Sequence, residues 1–126
     1  LAVEGAFAGY QQEAFFVCRH TWWLWGVAGL VSRFLVAPGL DAIAHVHRIG
    51  PIPKLFVCGT ADRIVDYRQT MALHDRARHP KELWVLDGNG HTEALIDDDP
   101  DPQDPATTKR DRFHRFLERS VNGSDQ

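Results

Sequence analysis

Asp62 and His91 are the two residues whose types and surroundings are best suited to chemistry. Each lies in a glycine-containing loop after an apolar run, Lys54–Gly59 for Asp62 and Leu83–Leu86 for His91. A carboxylate that holds an imidazole fixes the tautomer of the ring and stabilises the imidazolium formed during proton transfer. The pair therefore predicts a general acid–base centre in which His91 moves a proton and Asp62 orients the ring.

The apolar runs before these loops are typical of neighbouring strands in a parallel sheet. In such a sheet, ligands bind outside the carboxyl ends of the strands, and adjacent strands lie about 4.8 Å apart. Asp62 and His91 should then share one edge of the sheet. We expect a carboxylate oxygen of Asp62 to lie about 2.6–3.2 Å from Nδ1 of His91.

Strand-like and helix-like segments alternate along the chain. The predicted strands are Leu1–Val3, Lys54–Gly59 and Leu83–Leu86. The predicted helices are Tyr10–Arg19, a short helix capped by Asp41 and ending near Arg48, Tyr67–Arg78, and a last helix that begins at Pro105 with Asp104 as its cap. An acidic, proline-rich loop is expected over residues 97–104. The alternation predicts an α/β fold with right-handed crossovers and a parallel sheet of three strands.

Length and composition narrow the class of protein. The 126 residues are enough for one domain with one core. A net charge of −3 offers no basic surplus for nucleic acid. Cys18 and Cys58 form neither a disulfide framework nor a metal motif, so a reducing, cytoplasmic setting is the default expectation. The chain starts inside an apolar run without an initiator Met, so we expect a missing segment upstream of Leu1.

Four stretches resemble parts of the α/β-hydrolase superfamily. PKLFVCGTADRIV (53–65) looks like the segment that carries the catalytic acid, and WVLDGNGHT (84–92) looks like the segment that carries the histidine. VEGAFAGY (3–10) resembles the end of the sixth strand, and residues 113–121 resemble the closing helix. The nearest branch looks like the bacterial serine hydrolases related to prolyl oligopeptidases and dienelactone hydrolases. Asp66 departs from the pattern, since many relatives have Pro there.

The resemblance implies that residues 1–126 are the C-terminal portion of a single α/β-hydrolase domain, with a helical insertion and possible lid over residues 7–50. The order of a hydrolase triad is nucleophile, acid, histidine. Asp62 would then be the acid and His91 the general base, and the G-x-S-x-G nucleophile elbow would lie upstream. The implied function is a partial serine hydrolase acting on ester, amide or peptide bonds of a small-molecule or peptide substrate, without a metal or organic cofactor.

The sequence alone leaves several alternatives open. Glu4 is a rival acid, because some members of the superfamily place the acid after the sixth strand. Residues 5–9, Gly-Ala-Phe-Ala-Gly, have the spacing of an elbow with Phe7 at the nucleophile position. The tryptophans at 22, 23 and 25 would form either a substrate-facing lid or core packing. Cys58 is expected to be a buried strand residue. The alternative function is a non-catalytic hydrolase-fold protein used for binding.

Overall fold

The computed structural model describes residues 1–20, 25–27, 41–93 and 99–122. Its strands are β1 (Ala2–Glu4), β2 (Lys54–Gly59), β3 (Lys81–Leu86), β4 (Pro100–Asp101) and β5 (Asp104–Thr108). Its α-helices are α1 (Tyr10–His20), α2 (Ala42–His45), α3 (Tyr67–Arg76) and α4 (Lys109–Asn122). Short 3₁₀ turns cover Trp25–Val27 and Val46–Arg48. No helix within these ranges is long and apolar enough to cross a membrane.

The three predicted strands form one parallel sheet in the order β1-β2-β3. β2 lies in the centre, and all six of its residues are buried. A strand covered on both faces needs apolar side chains at successive positions, which is why Lys54–Gly59 reads as a continuous run rather than an alternating one. The prediction of a parallel α/β sheet with flanking helices is confirmed.

Alternate residues of β2 face two separate parts of the core. Leu55 and Val57 pack with Trp84 and with Phe116 of α4 on one face of the sheet. On the other face, Phe56 packs with apolar residues of α3 and of the segments around residues 8 and 46. Full burial of one such large side chain stabilises the fold by about 1.5–3 kcal/mol. Helices on both faces thereby hold β2, the strand that leads to Asp62, in place.

The prediction that the last helix begins at Pro105 with Asp104 as its cap is wrong. Residues 100–108, which span the end of the expected acidic loop and the expected start of the helix, form an antiparallel hairpin of β4 and β5, and α4 begins at Lys109. Thr108 and Asp111 exchange hydrogen bonds, because the Asp111 carboxylate accepts from the Thr108 N–H and the Thr108 hydroxyl accepts from the Asp111 N–H. This capping box satisfies backbone groups at the start of α4, whereas Asp104 accepts from the N–H of Ala106 at 3.2 Å, before the helix begins.

Asp41 occupies the N-cap position of α2, as predicted, but its side chain bonds elsewhere. It makes no side-chain bond to α2, and its Oδ1 accepts instead from the N–H of Tyr10, the first residue of α1, at 3.0 Å. The predicted short helix is also split, because α2 ends at His45 and a 3₁₀ turn continues to Arg48. Asp41 therefore ties two segments together that are distant in sequence.

The proposed lid is described only in part, since residues 21–24 and 28–40 lie outside the described residues. Trp22 and Trp23 are not described, and Trp25 is described only as the start of a 3₁₀ turn. Whether these tryptophans face a cleft or a core therefore stays a prediction. Of the 7–50 insertion, the described parts are α1, the 3₁₀ turn and the segment that starts at Asp41.

Candidate active site

The carboxylate of Asp62 and the imidazole of His91 are in direct contact at the carboxyl ends of β2 and β3. Nδ1 of His91 lies 2.8 Å from Oδ2 of Asp62, within the expected distance. The Asp62 side chain is 3% exposed and that of His91 is 29% exposed. A buried acid thus holds one ring nitrogen of a partly accessible histidine. Nε2 is the nitrogen left to exchange a proton.

The second oxygen of Asp62 is held by the backbone of its own loop. Oδ1 accepts from the N–H of Ile64 at 2.8 Å and from that of Val65 at 2.9 Å. Such turns are a common use of Asp after a strand, because the short side chain reaches the backbone two or three residues ahead. With Oδ2 on His91, both oxygens of the carboxylate have partners, so its plane and direction are fixed before any substrate arrives.

Hydrogen bonds join the acid loop to the histidine loop. The hydroxyl of Thr60 donates to Asp87 Oδ1 at 2.7 Å and accepts from the N–H of Gly88 at 2.9 Å. The N–H of Ala61 donates to the carbonyl of Asn89 at 3.0 Å. The two loops therefore behave as one unit, and the distance between Asp62 and His91 does not depend on their own contact alone.

Two glycines allow main-chain segments to pack closely at the two loops that carry Asp62 and His91. A Cβ on Gly59 would lie 2.1 Å from the carbonyl oxygen of Asn89, and one on Gly5 would lie 2.9 Å from Cε1 of His91. Gly5 also has a φ of +58°, in the region that favours glycine. Thr92, directly after His91, has a φ of +55°, which is strained for a β-branched residue. Backbone strain of this kind clusters at functional sites.

Lys109 supports the histidine loop from the start of α4, a role that the sequence did not suggest. Its Nζ lies 3.2 Å from Asn89 Oδ1 and 3.2 Å from Asp99 Oδ2, and the residue is 5% exposed. A cation in the first turn of a helix opposes the helix dipole, and a buried lysine requires polar partners. The only signal for this role in the sequence is that unfavourable position.

A cleft of about 400 Å³ adjoins the histidine. Arg63 and Ile64 line it from the acid loop, and Glu93 lines it from the histidine loop. The Glu93 carboxylate also accepts from the N–H of Gly90 at 2.6 Å, which closes the turn around His91. The cleft offers one cation, one anion and an apolar side chain beside the imidazole.

The two rival assignments fit the geometry less well. The carboxylate on Nδ1 of His91 is that of Asp62, whereas Glu4 ends β1. In a nucleophile elbow a tight turn leads from strand to helix at the nucleophile itself. Here α1 begins at Tyr10, and the ring of Phe7 packs edge-on against that tyrosine at 5.0 Å. The 5–9 segment is therefore a connection between β1 and α1 rather than an elbow.

Cys58 is a buried strand residue, as expected. It is 1% exposed, and its Sγ lies 3.8 Å from the carbonyl of Trp84. Burial, with a further contribution from the charge of Asp62, raises the pKa of the Cys58 thiol to about 11. The thiolate is the nucleophilic form, so Cys58 is not suited to be the nucleophile of His91.

This environment predicts that native Cys58 reacts slowly with iodoacetamide. A thiol with so high a pKa carries at least about 10²-fold less thiolate at neutral pH than a free cysteine, and burial slows the reaction further. Site-resolved mass spectrometry should show alkylation of Cys58 at least that much slower in the native chain than in the same chain unfolded in denaturant. Equal rates in the two conditions would contradict the buried placement.

Partial matches relate the chain to α/β-hydrolase domain proteins. A 59-residue stretch is 36% identical to Alpha/beta hydrolase domain-containing protein 17B of Homo sapiens, covering 44% of this chain and 20% of that protein. The protein of the same name from Xenopus laevis matches equally well. Uncharacterized protein YfhR of Escherichia coli (strain K12) is 26% identical over 66 residues, 52% of this chain and 23% of that protein. No family model and no solved structure matches the chain.

Proposed function

We propose that Asp62 and His91 are the acid and the general base of a serine-hydrolase triad that cleaves ester, amide or peptide bonds. The observation that carries the proposal is the 2.8 Å contact between a buried, fully hydrogen-bonded carboxylate and Nδ1 of a partly exposed histidine. That arrangement leaves Nε2 to work on a hydroxyl nucleophile. The partial matches to α/β-hydrolase domain proteins support the same class of reaction.

The proposed reaction divides the work between the two residues. Nε2 of His91 accepts the hydroxyl proton of the nucleophile as its oxygen attacks the substrate carbonyl, and returns that proton to the leaving group when the bond breaks. In the second half, Nε2 accepts a proton from water as the water oxygen attacks the acyl carbon. It then returns that proton to the oxygen of the nucleophile as the acyl bond breaks, which releases the acid and restores the hydroxyl. Asp62 stays ionised, keeps the proton on Nδ1 in the neutral ring and stabilises the imidazolium.

The nucleophile is proposed to come from a segment that precedes Leu1 in the intact protein. The hydroxyl of Ser120 is bound to the carbonyl of Phe116 on α4, and that of Thr60 is bound within the loops. β1 forms one edge of the described sheet, so a further strand has a place to pair. An apolar cavity of about 250 Å³, lined by Leu1, Val3 and other apolar side chains, lies beside that edge.

The proposal is tested by comparing this chain with a longer protein that includes its upstream sequence. The chain alone should hydrolyse p-nitrophenyl esters no faster than buffer, because the nucleophile is proposed to lie upstream and the oxyanion hole uses the backbone N–H that follows it. The longer protein should turn over the ester and react with a serine-directed fluorophosphonate probe. Turnover by the chain alone, or a longer protein that neither reacts with the probe nor hydrolyses the ester, would contradict the proposal. The second outcome would favour the binding function.

A further inference from the structure

Residues Gly5–Gly9, here called the backing segment, join β1 to α1 without regular secondary structure. Ala8 in this segment is fully buried, and buried backbone groups need hydrogen-bond partners. Two successive residues of α3 provide them. Gln69 Oε1 accepts from the N–H of Ala8 at 3.1 Å, and the hydroxyl of Thr70 donates to the carbonyl of Ala6 at 2.8 Å. Gln69 is 7% exposed and Thr70 is fully buried, so α3 clamps the segment from inside the fold.

The backing segment lies directly behind the imidazole of His91. A Cβ on Gly5 would lie 2.9 Å from Cε1 and 3.0 Å from Nδ1 of that ring, and 3.5 Å from Oδ2 of Asp62. The N–H of Gly5 donates to the carbonyl of Val57 at 3.0 Å, which fixes the first end of the segment on β2. Because the ring occupies the space that a side chain at position 5 would need, a displacement of the segment changes the space in which the ring can turn.

The amide of Gln69 also joins the backing segment to α1. Its Nε2 donates to Glu13 Oε2 at 2.9 Å, so both ends of the amide are in use. Burial raises the pKa of the Glu13 carboxyl, the bond from Gln69 lowers it, and the charge of Asp62 raises it. The carboxyl of Glu13 is thus within electrostatic reach of the candidate site.

We propose that Gln69 is a positioning residue for His91, acting through Ala8 to hold the backing segment against the imidazole, with Thr70 holding Ala6 beside it. Gln69 touches none of the reacting atoms. It narrows the orientations of the ring to the one in which Nδ1 meets Asp62. The structural role is a property of this chain alone, whereas its meaning for catalysis rests on the proposed function.

The experiment measures the tautomer of His91 by the ¹⁵N chemical shifts of its ring nitrogens, at an alkaline pH above which these shifts no longer change. The native chain should show the form with the proton on Nδ1, because Asp62 accepts it. Gln69→Leu keeps a similar volume but leaves the Ala8 N–H without its partner. The two ring shifts of His91 should then move toward each other as the Nε2–H form becomes populated. Unchanged shifts in Gln69→Leu would overturn the proposal.

A rescue pair and a matched control separate this role from general destabilisation. In Gln69→Glu with Glu13→Gln, the exchanged side chains can still bond to each other and to Ala8, so the native shifts should return. Phe116→Leu weakens the core on the other face of the sheet and should lower the melting temperature while leaving the shifts unchanged. If Gln69→Leu does not fold, Thr70→Val is the second variant. It removes the bond to Ala6 and should move the two ring shifts of His91 toward each other by a smaller amount. No displacement in that variant would also overturn the proposal.

In the longer protein, Gln69→Leu should lower kcat by about tenfold to a hundredfold with KM little changed, since a small misplacement of a catalytic group is enough for such a loss. The ring shifts in this chain and kcat in the longer protein test separate claims. If the longer protein has no turnover, the proposed function fails, while the ring shifts in this chain still decide the role of Gln69. If the shifts move in Gln69→Leu but kcat does not, the link to catalysis is overturned.

Discussion

In the longer protein, His91→Ala is expected to abolish ester hydrolysis, with a loss in kcat of about 10⁶-fold, and Asp62→Asn to lower kcat by about 10⁴-fold. Without the imidazole, the proton of the nucleophile has no acceptor. With Asn at position 62, the amide can donate to Nδ1, which favours the tautomer with its proton on Nε2. The nitrogen that should accept the proton is then blocked.

Steady-state hydrolysis of a p-nitrophenyl ester measures both variants, and the chain contains matched controls. His114→Ala removes an exposed imidazole on α4, and Asp75→Asn neutralises a carboxylate on α3 that is 80% exposed. Both controls should keep the full rate, and all four proteins should share the circular dichroism spectrum of the parent. A fully active His91→Ala protein would show that another group is the base. An Asp62→Asn protein with the parental rate would return the acid role to a residue such as Glu4.

The parts of the fold that follow from local composition were predictable. The bounds of β2 match the apolar run Lys54–Gly59. A strand covered on both faces is apolar throughout, so its ends are marked by the ends of the run. The contact between Asp62 and His91 also followed, since two loops after neighbouring parallel strands must meet at one edge. Pattern and topology together were enough for the centre of the site.

The supports around that centre depend on partners that are distant in sequence. The bond between Gln69 and Ala8 spans 61 positions, and the bond between Asp41 and Tyr10 spans 31. No local pattern distinguishes such a side chain from an ordinary helix or cap residue, because the partner is chosen by tertiary packing. The start of α4 is a different case. Thr108 and Asp111 have the spacing of a capping box, and that signal competed with Asp104-Pro105, which is equally typical of a helix start.

Gly59→Ala is expected to destabilise the fold by about 3 kcal/mol or more and to separate the two loops of the site. The added methyl would lie 2.1 Å from the carbonyl oxygen of Asn89 and 2.6 Å from its carbonyl carbon. Both are backbone atoms, so no side-chain rotation can relieve the clash. The histidine loop would have to move away from β2, which breaks the bond between Ala61 and Asn89 and lengthens the contact between Asp62 and His91.

Gly50→Ala is the matched control, because nothing lies within 4 Å of the methyl it would add. At such an open position, Gly→Ala changes stability by less than about 1 kcal/mol, and often raises it by restricting the unfolded chain. Urea denaturation of this chain, followed by tryptophan fluorescence, should therefore give a lower midpoint for Gly59→Ala and a nearly parental one for Gly50→Ala. If Gly59→Ala unfolds at a lower midpoint but the ring ¹⁵N shifts of His91 stay parental, the close packing of Gly59 against Asn89 does not hold the two loops together. If Gly59→Ala unfolds at the same midpoint as Gly50→Ala, that close packing is absent in solution.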